Sequence, residues 1–270
     1  MRLQLDQLIA NTTFGHVFRG TDPNSGAVFA VKQYTHECYE AAAELHVSEV
    51  LRNHPQHPHL VHMLGNYYSG GCAHLVFEFC EKGDLYDLLA KQSRFPRREA
   101  LAYFEQVVSA IQHLHSIGFA HRDISLENIL VDNKDTVKLC DFGLAFPTAV
   151  RSNATVGKPF YMAPEVFAGV EYDPAAADMW SLGVLFFVLV TGMPIFSVPS
   201  EQDAGYRVLA RQGIKSLLEL WHLKMLFTKE QLHLLDGLLQ VNPRKRLKIN
   251  QIGANLQPKC TWRRTFCKWF

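Results

Sequence analysis

The chain has 270 residues, 48% hydrophobic and 20% charged, which is enough apolar material for one large globular unit or two lobes. A formal net charge of +1 supplies no global field that would draw it to nucleic acid, and the opening MRLQLDQLIA, short in its apolar run and carrying Asp6, does not read as a secretory leader. Six cysteines without CxxC or zinc-type spacing read as free thiols of a reducing compartment, so a cytoplasmic protein is expected, with the nucleus as an alternative.

The first eighty residues read as strands around one helix. AVFAVKQY (27–34) has the Val, Phe and Ala content of a strand. Residues Glu37 to Asn53, with Ala41, Ala42, Ala43, Leu45 and Leu51, read as a helix that stops before Pro55. AHLVFEFC (73–80) is a second apolar strand run, and EKGD after it is a polar, glycine-containing joint. Beyond the joint the pattern is mostly helical. Pro96 opens a segment whose apolar residues Leu101, Phe104, Val107, Val108, Ile111 and Leu114 recur at helical spacing, with Gly118 at its C-terminal end. ILVDNKDTVKLC (129–140) reads as a hairpin.

MWSLGVLFFVLVTGMPIF (179–196) raises the question of a membrane span. Asp178 precedes it, Gly192 and Pro194 interrupt it, and the run from Gly183 to Val190 is far short of the roughly 20 residues a span needs, so a buried core helix is expected. Thr228 and Gln231 form a capping box for a helix carrying Leu232, Leu235 and Leu239, with Pro243 as its stop. The expected class is α+β: a β-rich part to about residue 79, a joint at 79–84, and an α-rich part at 85–258. The basic, aromatic tail 259–270 reads either as the end of the last helix or as a membrane-surface or partner contact.

Six strings then stand in order: FAVK (29–32), HRDISLEN (121–128), DFG (141–143), APE (163–165), DMWSLG (178–183) and NPRKR (242–246). Together, over roughly residues 5–257, they resemble the eukaryotic protein kinase domain, in its serine/threonine branch. The resemblance implies a bilobal fold over 1–258. It also implies an enzyme that uses ATP and Mg2+ to phosphorylate Ser/Thr hydroxyls of protein substrates. Phosphoryl transfer asks a protein for positioning and charge neutralisation. By resemblance Lys32 meets the nucleotide phosphates, Asp123 is the base, and Asn128 and Asp141 are oxygen ligands for Mg2+. A helix glutamate should hold Lys32; Glu44 is the first choice and Glu49 the second. Ile9, Ala10, Thr12, Phe14, Gly15 and Val17 would cover the nucleotide. Val17, Ala30 and Leu130 would sandwich the adenine, or simply fill core. The backbones of Glu78 and Cys80 would bond its edge beside Phe77, and Asp84 would meet the ribose. Glu165, Arg246 and Asp178 are implied as scaffold. Arg122 implies a phosphate acceptor in 141–165, with Thr155 and Ser152 as candidates. Cys140 is placed at the back of the pocket as an apolar filler.

The chain departs from the family at three places. Ala10 and Thr12 stand where glycines let the backbone approach phosphate. Ser125 stands where a lysine is usual, and Lys158 where a threonine is usual. Either a cation and a hydroxyl have traded places, making Lys158 part of the catalytic set, or two unrelated drifts have occurred. The latter would suit a pseudokinase that acts as a nucleotide-sensing or scaffold module.

Overall fold

A computed structural model describes residues 3–36 and 38–252. The tail 259–270 and the end of the expected domain therefore lie outside the described residues. The first part is an antiparallel sheet of five strands: β1 (Gln4–Thr12), β2 (Gly15–Thr21), β3 (Val28–Tyr34), β4 (Met63–Ser69) and β5 (Cys72–Glu78), in the order β1-β2-β3-β5-β4. Helix α1 (Tyr39–Arg52) lies between β3 and β4 in sequence and buries Glu44, Val47 and Ser48. A buried glutamate on a helix needs a cation, and β3 supplies one (below).

The joint is tied down rather than free. After β5 the chain crosses to α2 (Leu85–Ala90), and on the way the Lys82 amide donates to the Val131 carbonyl (3.1 Å), while the Val131 amide donates to Gly83 (2.9 Å). Asp84 caps α2 by accepting from the Asp87 amide at 2.8 Å.

The second part is built on α3 (Arg97–Ser116), whose buried face includes the six residues that set its period in the sequence apart from Leu101, which is half-buried. Short strands follow: β6 (Phe119–Ala120), β7 (Ile129–Val131), β8 (Val137–Leu139) and β9 (Phe146–Pro147), pairing as β6-β9 and β7-β8. The expected hairpin is the β7-β8 pair, its turn held by Asp132 accepting from the Lys134 and Thr136 amides. Helix α4 (Pro164–Phe167) closes the segment that carries APE.

Helix α5 (Pro174–Thr191) has the length and hydropathy of a span, but 83% of it is buried inside the protein. Asp173 caps its start and Gly192, at φ 76°, ends it in the left-handed conformation. The remaining helices are α6 (Ala204–Leu220), broken at Gly213, and α7 (Lys229–Leu238). At Gly183 a Cβ would come within 2.9 Å of Leu238 and Leu239, so the glycine lets α5 and α7 lie close. The capping box of α7 forms as expected, but its stop does not. The helix ends at Leu238, and Pro243 opens a separate 3-10 turn (Pro243–Lys245) with Asn242 as its cap.

Candidate active site

A cleft of about 590 Å³ opens between the sheet and the helical part. Lys32 on β3 is a buried polar group of its lining. The Nζ atom lies 2.7 Å from Glu44 Oε2 and 2.9 Å from Asp141 Oδ1. Glu44 is 1% exposed and Glu49 is not its substitute, which resolves the choice left open by the sequence. Glu44 also accepts from the Tyr34 hydroxyl and, at 3.3 Å, from the Phe142 amide. One carboxylate thus ties strand, helix and the DFG turn together. Burial disfavours the Lys32 charge, but Glu44 and Asp141 outweigh it and hold the ammonium well above its usual pKa. Burial likewise pushes the Asp141 carboxyl up, yet Lys32 beside it keeps the group below the usual carboxylate range. Both stay charged at neutral pH.

The floor is the loop from His121 to Asn128. Asp178, fully buried on α5, accepts from the His121 and Arg122 amides (2.8 Å each) and contacts His115 Nε2 at 2.8 Å. That carboxylate fixes the loop's backbone. His121 Nδ1 accepts from the Asp123 amide (3.2 Å), so Nε2 carries the proton it gives to the Cys140 carbonyl (3.0 Å). Arg122 and Asp141 both sit at positive φ, 65° and 66°, a strained backbone that non-glycine residues hold only when their surroundings force it.

Asp123 is engaged on one side only. Its Oδ2 accepts from Asn128 Nδ2 (2.7 Å) and Lys158 Nζ (3.1 Å), while Oδ1 is buried and has no partner among the described residues. A buried acceptor without a donor is costly. The residue lines the cleft, so an acceptor hydroxyl bound there could satisfy it. Among the described residues the Asn128 side chain bonds through Nδ2 and the Asp141 side chain through Oδ1. One hard oxygen on each is left for a cation. Among the described residues there is no cluster of three His, Cys, Asp or Glu that could cage a metal. An ion held here would complete its shell with nucleotide phosphate and water, as Mg2+ commonly does.

Most of the nucleotide-side residues expected from the sequence line this cleft: Ile9, Ala10, Thr12, Phe14, Val17, Ala30, Phe77, Glu78, Asp84 and Leu130. Two do not. Gly15 is buried against β3, where a Cβ would meet the Gln33 carbonyl oxygen at 1.8 Å, so this glycine serves strand packing rather than a phosphate. Cys80 is buried beside the cleft, and burial pushes its thiol up to about 12; the part expected of it is a backbone one. Glu78 turns its side chain to the His62 amide (2.8 Å) and Lys138 (3.0 Å). Cys140 lines the cleft with a thiol that burial holds well above its usual pKa, which fits a filler and not a nucleophile.

Sequence reasoning missed Tyr34 and Gly157. Tyr34 was legible, since it lies two residues from Lys32 on one strand and therefore on the same face. Gly157 sits at φ 93° with its Cα against the catalytic loop: a Cβ would lie 2.7 Å from the Arg122 carbonyl. Glu165 and Arg246 form a bidentate pair at 2.5 and 2.7 Å below α4, as expected of scaffold. Ser152 is buried and its hydroxyl already accepts from Arg122 at 3.1 Å, whereas Thr155 is exposed.

The family described as the protein kinase domain matches residues 3–255. The chain belongs to that family. Among its relatives, calcium-dependent protein kinase 20 of Oryza sativa subsp. japonica is 30% identical over 260 residues, 93% of this chain and 46% of the relative. CBL-interacting serine/threonine-protein kinase 18 of Arabidopsis thaliana is 32% identical, covering 94% of this chain and 49% of the relative. Serine/threonine-protein kinase SRK2C of Arabidopsis thaliana is 31% identical, covering 93% and 74%. The chain spans about half the length of several of the curated relatives it matches, less than a fifth of some and about three quarters of SRK2C.

Proposed function

We propose that this kinase-domain protein transfers the γ-phosphoryl group of ATP, with Mg2+, to Ser/Thr hydroxyls of protein substrates. One observation carries the reading: Lys32, Glu44, Asp141, Asn128 and Asp123 converge in one cleft. The scaffold-only alternative rested on Ala10, Thr12 and Ser125, and none of these disturbs that convergence.

In this reading Lys32, held by Glu44, fixes the phosphates. Asp141 and Asn128 present oxygens to Mg2+, which when bound would offset phosphate charge. Asp123 Oδ1 accepts the substrate's hydroxyl proton as its oxygen attacks. The sandwich of Val17, Ala30 and Leu130 takes the adenine and Asp84 the ribose. The serine/threonine preference is supported by HRDISLEN and PFYMAPE and by the printed names of the relatives. The four described cysteines, Cys38, Cys72, Cys80 and Cys140, are free thiols, which supports a cytoplasmic setting.

The test is transfer of labelled phosphate from Mg·ATP to the protein itself and to a generic basic protein, beside a thermal shift with Mg·ATP. Transfer that disappears on Asp123→Asn while the thermal shift persists is expected. A wild type with neither transfer nor shift would overturn the reading.

A further inference from the structure

We propose that the cation serving the transferred phosphoryl group has moved in this chain from the catalytic loop to the segment 141–165. Lys158 carries it, and the Arg122–Ser152–Tyr172 cluster positions it. The inference rests on the kinase reading above.

The seat of the ammonium is explicit. Ser125 is 0% exposed, and its Oγ accepts from Lys158 Nζ at 2.9 Å, while the same Nζ donates to Asp123 Oδ2 at 3.1 Å. The hydroxyl at Ser125 therefore holds the head of a lysine that arrives from another segment. Lys158 lines the cleft with about a third of its side chain exposed. Unrelated drift would leave Asp123 without a cationic partner and Lys158 free to point to solvent; neither is so.

Arg122 grips the segment at several points before Lys158, and separate contacts hold it just after. Downstream of Ser152, Gly157 presses its backbone on the Arg122 carbonyl, an approach only glycine allows. The Lys158 carbonyl then accepts from the Tyr161 and Met162 amides (2.9 and 3.0 Å), and the Ser181 hydroxyl donates to Tyr161 (2.8 Å). Upstream, the Arg122 guanidinium donates to the Leu144 carbonyl (2.7 Å), Ser152 Oγ (3.1 Å) and the Tyr172 hydroxyl (3.4 Å), and lies 4.5 Å over the Phe146 ring. Tyr172 in turn donates to Ala154 (2.9 Å), and the Ser152 and Tyr172 backbones pair at 3.1 and 2.7 Å. Every one of these partners is uncharged. Three of the five guanidinium N–H groups are thus spent on uncharged partners that hold the segment.

During transfer the acceptor oxygen bonds to the γ-phosphorus as the bond from that phosphorus to the β,γ-bridging oxygen breaks. ADP leaves with the electron pair, and the hydroxyl proton passes to Asp123 Oδ1. Lys158 makes and breaks no bond; it offsets charge on the phosphoryl oxygens. With the cation on this segment, loosening the segment withdraws charge from the transfer step itself and lowers kcat, not only acceptor binding.

The test combines steady-state kinetics with calorimetry of Mg·ADP, alone and with aluminium fluoride as a mimic of the transferred group. Lys158→Thr should lower kcat roughly 10²–10³-fold, leave the KM for ATP and the Mg·ADP affinity near wild type, and lose the affinity gained with aluminium fluoride. Lys158→Arg should recover most of both. Tyr172→Phe, or Ser152→Ala as a second route, should lower kcat about tenfold by removing a hydrogen bond, yet add little when Thr already stands at 158. Wild-type kcat and aluminium fluoride response in Lys158→Thr would overturn the role of Lys158. Equal losses from both segment variants in the two backgrounds, or no loss in either, would overturn the positioning. A wild type that binds the aluminium fluoride complex but transfers nothing counts against the kinase reading alone, and the Lys158 comparison on that complex still decides this one.

Discussion

The β1–β2 turn that roofs the cleft and the His121–Asn128 loop that floors it both lack residues that kinase domains usually carry, yet they respond differently. β1 is exposed along almost its whole length, and the changes to Ala10 and Thr12 there remove no charge. Thr12 offers only a hydroxyl, buried and without a partner among the described residues. A strand open to solvent along its length can absorb such uncharged changes. The floor cannot, because Ser125 is fully buried and the Asp123 side chain only 15% exposed. A carboxylate in that setting needs a cation, and Lys158 provides it. Exposed geometry drifts, whereas buried charge is rebalanced.

The strongest blow to the floor is Asp123→Asn. It should cut kcat by roughly 10³–10⁴ while Mg·ATP still raises the melting temperature; retained transfer would remove the floor from the chemistry. Next comes the exchange itself. Ser125→Lys combined with Lys158→Thr should bring kcat back to within about tenfold of wild type from a deficit of roughly 10²–10³, and Ser125→Lys alone should be poor, since two ammoniums would crowd Asp123. Glu44→Gln tests the wall between roof and floor. It strips a buried partner from Lys32, which keeps Asp141, and should cost about 3 kcal/mol in denaturant unfolding along with most transfer.

The roof should prove mechanical where it is packed and tolerant where it is open. Gly15→Ala forces a methyl onto the Gln33 carbonyl and should cost roughly 1–3 kcal/mol of stability. Ala10→Gly should only tighten Mg·ATP, by about 1 kcal/mol or less in isothermal titration, since it frees backbone at the cleft without touching a charge. An Ala10→Gly effect as large as that of Lys158→Thr would erase the contrast between the two regions.

Much of this was legible before any coordinates. The helix over 97–116, the β7-β8 hairpin, the buried α5 and the capping box at Thr228 rest on spacing and turn chemistry within a few residues of one another. The chemical set Lys32, Asp123, Asn128 and Asp141 was legible because each stands in a short string whose order along the chain is itself informative. Pro243 misled because a proline marks where a helix cannot continue, not where it stops: the chain left α7 earlier and used the proline to start a 3-10 turn.

What the sequence determined by itself was the strand and helix types, which local period encodes, and, through its resemblance to the kinase domain, the fold class and the residues expected to do phosphoryl-transfer chemistry. Only the tertiary structure chose Glu44 over Glu49, assigned Gly15 to strand packing, and seated Lys158 on Ser125. The physical reason is distance along the chain. Lys32 meets Asp141 across 109 positions and Lys158 meets Ser125 across 33. Periodicity says which face of an element a side chain takes, but which partner waits opposite is settled by how the two parts pack and by the need of each buried charge for its opposite.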